Sequence, residues 1–116
     1  MNQQIYDRLL WLARNQQLSS YTDIGGLVGL DMNEEADRHE ISRLLEEIAR
    51  FVHAQHWPML TALVIHWGND NNPGEGFFAI AQELGLFGGT RNELARTTFW
   101  ARQVAAVFAF DGWPQI

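Results

Sequence analysis

Residues 58–78 read Pro58-Met59-Leu60-Thr61-Ala62-Leu63-Val64-Ile65-His66-Trp67-Gly68-Asn69-Asp70-Asn71-Asn72-Pro73-Gly74-Glu75-Gly76-Phe77-Phe78. Met59 to Trp67 is a β-rich run carried by Leu60, Leu63, Val64 and Ile65, the pattern of a short buried strand. Gly68 to Gly74 is a concentrated turn signal, and Gly76-Phe77-Phe78 can return as a second short strand. Whether a hairpin stands here decides the fold, because everything upstream reads as helix.

Working back from Pro58, residues 34–56 give the clearest helical pattern. Ile41, Leu45, Ile48 and Val52 make one stripe, widened by Leu44 and Phe51. Asn33 is placed to cap it, and Glu34, Glu35 and Asp37 suit the positive end of the helix dipole. Glu40, Arg43, Glu47 and Arg50 alternate in sign along the other side. Before it, Ser20 or Thr22 can cap a short helix from Asp23 to about Val28, whose Gly25 and Gly26 imply close approach by a neighbouring helix. Residues 4–15 form an amphipathic helix on Ile5, Leu9 and Leu12.

Working forward, residues 79–86 read as one or two helical turns closed by Gly85. Thr90 or Asn92 then caps a last helix from about Arg91 to Phe110, with Leu94, Trp100, Val104, Val107 and Phe108 on its apolar face. The order predicts a single domain over residues 1–116: α+β, mostly helical, and winged-helix-like. Three helices precede a β-hairpin wing, and one short and one long C-terminal helix follow.

Two stretches carry a resemblance. Tyr21-Thr22-Asp23-Ile24 followed by Leu27 to Leu30 resembles the Tyr-Gly-x-Ile/Leu-Ala…Gly-Leu stretch of the winged-helix domain in alkylguanine-DNA alkyltransferases and alkyltransferase-like proteins. Pro58 to Val64 through Pro73-Gly74-Glu75-Gly76-Phe77 is more similar to a poorly characterised prokaryotic winged-helix-type module, which occurs alone and near HNH-type nuclease regions. Together they cover about half of the chain and imply a third helix and wing that meet DNA. The alkyltransferases carry a reactive cysteine in Pro-Cys-His-Arg. Here Pro58-Met59-Leu60-Thr61 stands in that region, so no thiolate is present to accept an alkyl group.

Charge argues against the DNA reading. Fourteen acids face eight bases, every base is arginine, and the net charge is −6. Phosphate attraction ordinarily needs clustered cations, whereas Asp31 to Glu47 holds seven of the fourteen acids against Arg38 and Arg43. No cysteine is present, which fits a reducing compartment. Met1-Asn2-Gln3-Gln4 lacks the opening of a signal peptide, and the longest wholly apolar run, Val104 to Phe110, is too short for a membrane span. The expectation is a cytoplasmic protein without a membrane association.

No catalytic constellation emerges. His53 and His56 sit at i, i+3, and His66 is a third donor if the strand folds back. The plainer reading places both helix histidines at the negative end of the dipole, so no metal site and no cofactor are assigned. His39-Glu40 starts a zincin-like motif that fails at Arg43. Asp70 to Gly74 lacks the distal glutamate of a calcium loop. Glu75, between two glycines, is the one acid in an unusual setting.

The sequence thus predicts a non-enzymatic binding module with a protein partner, a basic one matching its acids. An immunity, inhibitor or anti-defence factor, or an accessory subunit, has this character, and a homodimer is compatible with it. The predicted interaction residues are Glu34, Glu35, Asp37 and Glu40 with Trp67 and Trp113, the tryptophans lying beside turns. The alternative is nucleic-acid binding through the third helix and wing, using Arg38, Arg43, Asn69, Asn71 and Glu75.

Overall fold

A computed structural model describes residues 1–68 and 71–115. The elements are α1 (Gln3–Arg14), β1 (Ser19–Ser20), α2 (Tyr21–Gly26), α3 (Glu35–Ala54), a 3₁₀ turn (Leu60–Leu63), β2 (Val64–Ile65), α4 (Glu75–Glu83) and α5 (Glu93–Ala109). About 60% of the chain is helix and 4% strand, so the mostly helical α+β class holds.

The apolar run at 59–65 is the centre of the molecule. Met59 to Ile65 is buried without a break, and the 3₁₀ turn packs against α1, α3 and α5. Periodicity cannot distinguish strand from helix where every side is covered. Only Val64 and Ile65 become strand, and they pair in parallel with β1, Ser19 against Val64 and Ser20 against Ile65. The partner is the segment entering α2, joined to β2 by the long crossover through α3.

The expected return strand at Gly76-Phe77-Phe78 is instead the first half of α4, so no β-hairpin wing forms among the described residues. The reason is legible afterwards. Phe77, Phe78, Ile80 and Ala81 are buried at helical rather than alternating spacing. Glu75 occupies the positive end of the helix. The C-terminus closes with a Schellman arrangement, in which Leu86 N–H donates to the Ala81 carbonyl and Gly85 takes φ +77°.

Helix ends elsewhere follow similar chemistry. Ser20 Oγ accepts from Asp23 N–H and Asn92 Oδ1 from Ala95 N–H, both caps expected from sequence. α3 departs from expectation: Glu34, not Asn33, is its cap residue, and it makes no side-chain cap bond. α1 and α3 both end on a left-handed residue that is not glycine, Gln16 at φ 53° and His56 at φ 63°. His56 therefore lies beyond the helix, and its spacing to His53 does not set both rings on one helical face.

One core joins α1, α2, α3 and the 3₁₀ turn to Val107 and Trp113. A second packs α4 against Ala49, Met59, Ala62, Phe99 and Trp100. Trp113 is only 6% exposed, stands edge-on to Trp57 and Phe110, and donates through Nε1 to the Val107 carbonyl at 3.0 Å. It is a core residue, not the surface anchor its position beside a turn implied. Leu94, expected on the buried face of α5, is 77% exposed. Gly25 does mark a close approach, since a Cβ there would lie 2.8 Å from Met32 Cε. Its neighbour is thus the loop before α3 rather than a helix, and Gly26 faces open space.

Candidate functional site

The replacement of a hairpin by α4 opens a cleft between α2, α3 and α4, floored by the 3₁₀ turn. Its volume is about 570 Å³, within the size range of ligand sites. Ile41 and Leu45 of α3, and Phe77 and Ile80 of α4, give it apolar walls. Tyr21, Ser42 and Thr61 bring polar atoms from three separate elements, and His66 from the residue after β2.

The Tyr21 hydroxyl accepts from Gly74 N–H at 2.9 Å, and its ring stacks on His66 with centroids 4.5 Å apart. Burial pushes the Tyr21 pKa up, partly offset by the Gly74 bond, so the phenol stays protonated and keeps a proton to donate. Glycine suits this packing: a Cβ at position 74 would meet His66 Nε2 at 2.9 Å and Tyr21 Oη at 3.2 Å, so those side chains would have to shift. Thr61 is 5% exposed, and its Oγ1 is buried with no hydrogen-bond partner among the described residues.

The charges around the cleft are mostly compensated. Arg50 donates to both Glu46 and Glu83, tying α3 to α4 across one rim. Arg96 of α5 donates to Glu75 at 2.8 Å and lies over the Phe78 ring. That bond holds the Glu75 carboxyl below the ordinary glutamate range. Arg38 also lines the cleft. Its Nη1 donates to the Met32 carbonyl, and no carboxylate pairs with it among the described residues.

The predicted acidic surface is occupied in part. Glu40 receives two bonds from Arg43, at 2.6 and 3.0 Å, which lower its pKa, and Arg43 also donates to Glu47. Asp37 accepts from Asp31 N–H and so clamps the loop before α3. Glu34 and Glu35 are exposed, with His39 3.8 Å from Glu35. Of the predicted nucleic-acid set, Arg38 and Glu75 line the cleft, while Arg43 is held between two glutamates. Asn71 accepts from Gly68 N–H within its turn, and Asn69 lies outside the described residues. The described members of this set do not line one positive groove.

Trp67, 72% exposed, borders a second depression of about 410 Å³ along Leu18 to Asp23. Tyr21, Thr22 and His66 line both hollows, so the stacked Tyr21–His66 pair borders each of them. Among the described residues no group of three metal-donor side chains converges, and His66 is engaged with Tyr21 rather than with His53 or His56. No helix among the described residues is long and apolar enough to cross a membrane.

Sequence reasoning missed Tyr21, Ser42, Thr61 and His66 as a set. Two signals were available: a lone hydroxyl inside an otherwise apolar run, and two glycines flanking the start of a helix. Comparison with family models, with curated proteins and with solved structures finds no match.

Proposed function

We propose that the protein is a non-catalytic binding module that holds an extended segment of a protein partner along the cleft and the depression beside Trp67. The observation that carries this reading is that the two hollows share Tyr21, Thr22 and His66 and that an exposed tryptophan borders the second. A compact ligand would need only the first hollow, whereas a chain segment uses both. The order α1, α2, α3 supports a winged-helix-like helical half whose wing has been replaced by a parallel strand pair and α4.

This reading moves the contact surface from the acids of α3 to the cleft. The test is photo-crosslinking in host extract with Ala79→Arg, which adds a long cation at an exposed α4 position lining the cleft, and with Trp67→Ala. A specific crosslinked protein, lost with either variant and kept with Glu34→Gln/Glu35→Gln, is expected. Loss with the glutamine pair and retention with Ala79→Arg would return the interface to the acidic face of α3.

A further inference from the structure

We infer that the depression beside Trp67 takes an arginine side chain of the partner segment, its guanidinium lying on the indole and bonded to Asp23. The inference rests on that depression receiving a partner segment and adds the residue that enters it.

The strand register brings the two groups together. β1 and β2 run parallel with Ser20 against Ile65, so both chains leave the sheet at the same end. Trp67 stands two residues beyond Ile65, and Asp23 stands in the first turn of α2 after Ser20. Both therefore line one depression of about 410 Å³. Trp67 is 72% exposed. Its open indole presents a negative face, and tryptophan is the aromatic side chain that holds a cation best.

Asp23 points the same way independently. Ser20 and Asp23 have the spacing of a capping box, and Ser20 Oγ accepts from Asp23 N–H at 3.0 Å. The reciprocal bond, from Ser20 N–H to the Asp23 carboxylate, is absent among the described residues, where Ser20 belongs to the ladder with β2. In the first hollow every lining carboxylate is bonded to an arginine: Glu46 and Glu83 to Arg50, and Glu75 to Arg96. No arginine lines the second, and the exposed Asp23 carboxylate has no ion-pair partner among the described residues.

Charge and shape together select arginine. A chain at −6 draws a cationic partner, and the one charge lining this depression is negative. A planar guanidinium lies flat on an indole while its edge N–H groups donate to a carboxylate, which the compact ammonium of lysine cannot do at once. The hydroxyls of Ser19 and Thr22 line the same depression as acceptors for the remaining N–H groups. Leu18 offers apolar surface to the methylene stem.

The test titrates the intact protein with capped hexapeptides of leucine and serine that carry one arginine at either end. Matching peptides hold citrulline or lysine in that place, and N-acetyl-arginine amide supplies the side chain alone. Proton–nitrogen correlation spectra are the readout, with the Trp67 indole signal assigned by its loss in Trp67→Phe. Arginine peptides are expected to shift that signal and the Asp23 amide, and to bind about five- to thirtyfold more tightly than the citrulline ones. Lysine peptides should fall between them, and N-acetyl-arginine amide should bind at least about fivefold more weakly than the arginine peptides. Asp23→Asn, which keeps the Ser20 cap, and Trp67→Ala should each cut the arginine-over-citrulline ratio to about threefold or less, at near-parent melting temperature. Equal binding of arginine and citrulline peptides at these signals overturns the cation and leaves the depression as a binding surface. A ratio unchanged in Asp23→Asn overturns the assigned pair, and N-acetyl-arginine amide binding as tightly as the peptides overturns the polypeptide source. Shifts from no compound, with crosslinking still lost in Trp67→Ala, overturn the arginine proposal alone; crosslinking insensitive to Trp67→Ala and Ala79→Arg alike removes the partner segment itself.

Discussion

Replacing Thr61 by valine should make the protein more stable. The residue is 5% exposed, and its hydroxyl has neither donor nor acceptor among the described residues. Burying an unpaired hydroxyl costs about 1–3 kcal/mol. Valine keeps the β-branched shape and the rotamer restriction while removing the polar atom. For a domain of 116 residues, each kcal/mol corresponds to about 4 °C in melting temperature. Thr61→Val is therefore expected to melt about 4–12 °C higher, followed by far-ultraviolet circular dichroism under reversible conditions. Thr61→Ser is the control: it keeps the hydroxyl, deletes a buried methyl and should lose about 1 kcal/mol. A valine variant melting clearly below the parent would mean that the hydroxyl is satisfied in solution and would contradict its unpaired burial.

His56→Gly and Gln16→Gly should each stabilise by about 0.5–1 kcal/mol, because both residues hold the left-handed position that ends a helix; chemical denaturation reads the change. Trp113→Ala should cost about 3–5 kcal/mol by emptying the space beside Trp57 and Phe110, and near-native stability in urea would contradict its burial. The Glu75 carboxyl, depressed by Arg96, should titrate below the usual glutamate range by NMR. With the folded pKa the lower one, its contribution is present above the unfolded value and lost as pH falls through the folded value. At this exposed site it is worth at most about 1 kcal/mol, and Arg96→Gln should abolish the shift. Duplex DNA should not be retarded at near-physiological salt, since Arg43 and Arg50 are each shared between two glutamates; salt-sensitive retardation would restore the nucleic-acid reading.

What was legible followed local chemistry. The stripe Ile41, Leu45, Ile48 and Val52 is buried in α3, and Ser20 and Asn92 cap where hydroxyl and amide side chains should. The failures came where tertiary context decides. Leu60 to Ile65 is covered on all sides, so its apolar continuity carried no information about strand or helix. The fate of Phe77 and Phe78 depended on the 49–62 segment waiting beneath them, which a local window cannot see. Trp67 and Trp113 both sit beside turns, yet one is exposed and the other packs on Phe110 close by and on Trp57 from far along the chain. The cleft was hidden for the same reason, because Tyr21, Ser42, Thr61 and Gly74 meet only after the fold is complete.

The parallel pairing of Ser19-Ser20 with Val64-Ile65 has a consequence for how the chain reaches this state. The first half of the polypeptide cannot close its own backbone at β1 as it leaves the ribosome. Its ladder partner arrives only after the whole of α3 has been synthesised. Contacts this far apart along the chain delay the rate-limiting step of folding. Until Ile65 emerges, α1 and α2 expose the surface that the central run later covers, and that interval is when the nascent protein is most vulnerable to aggregation.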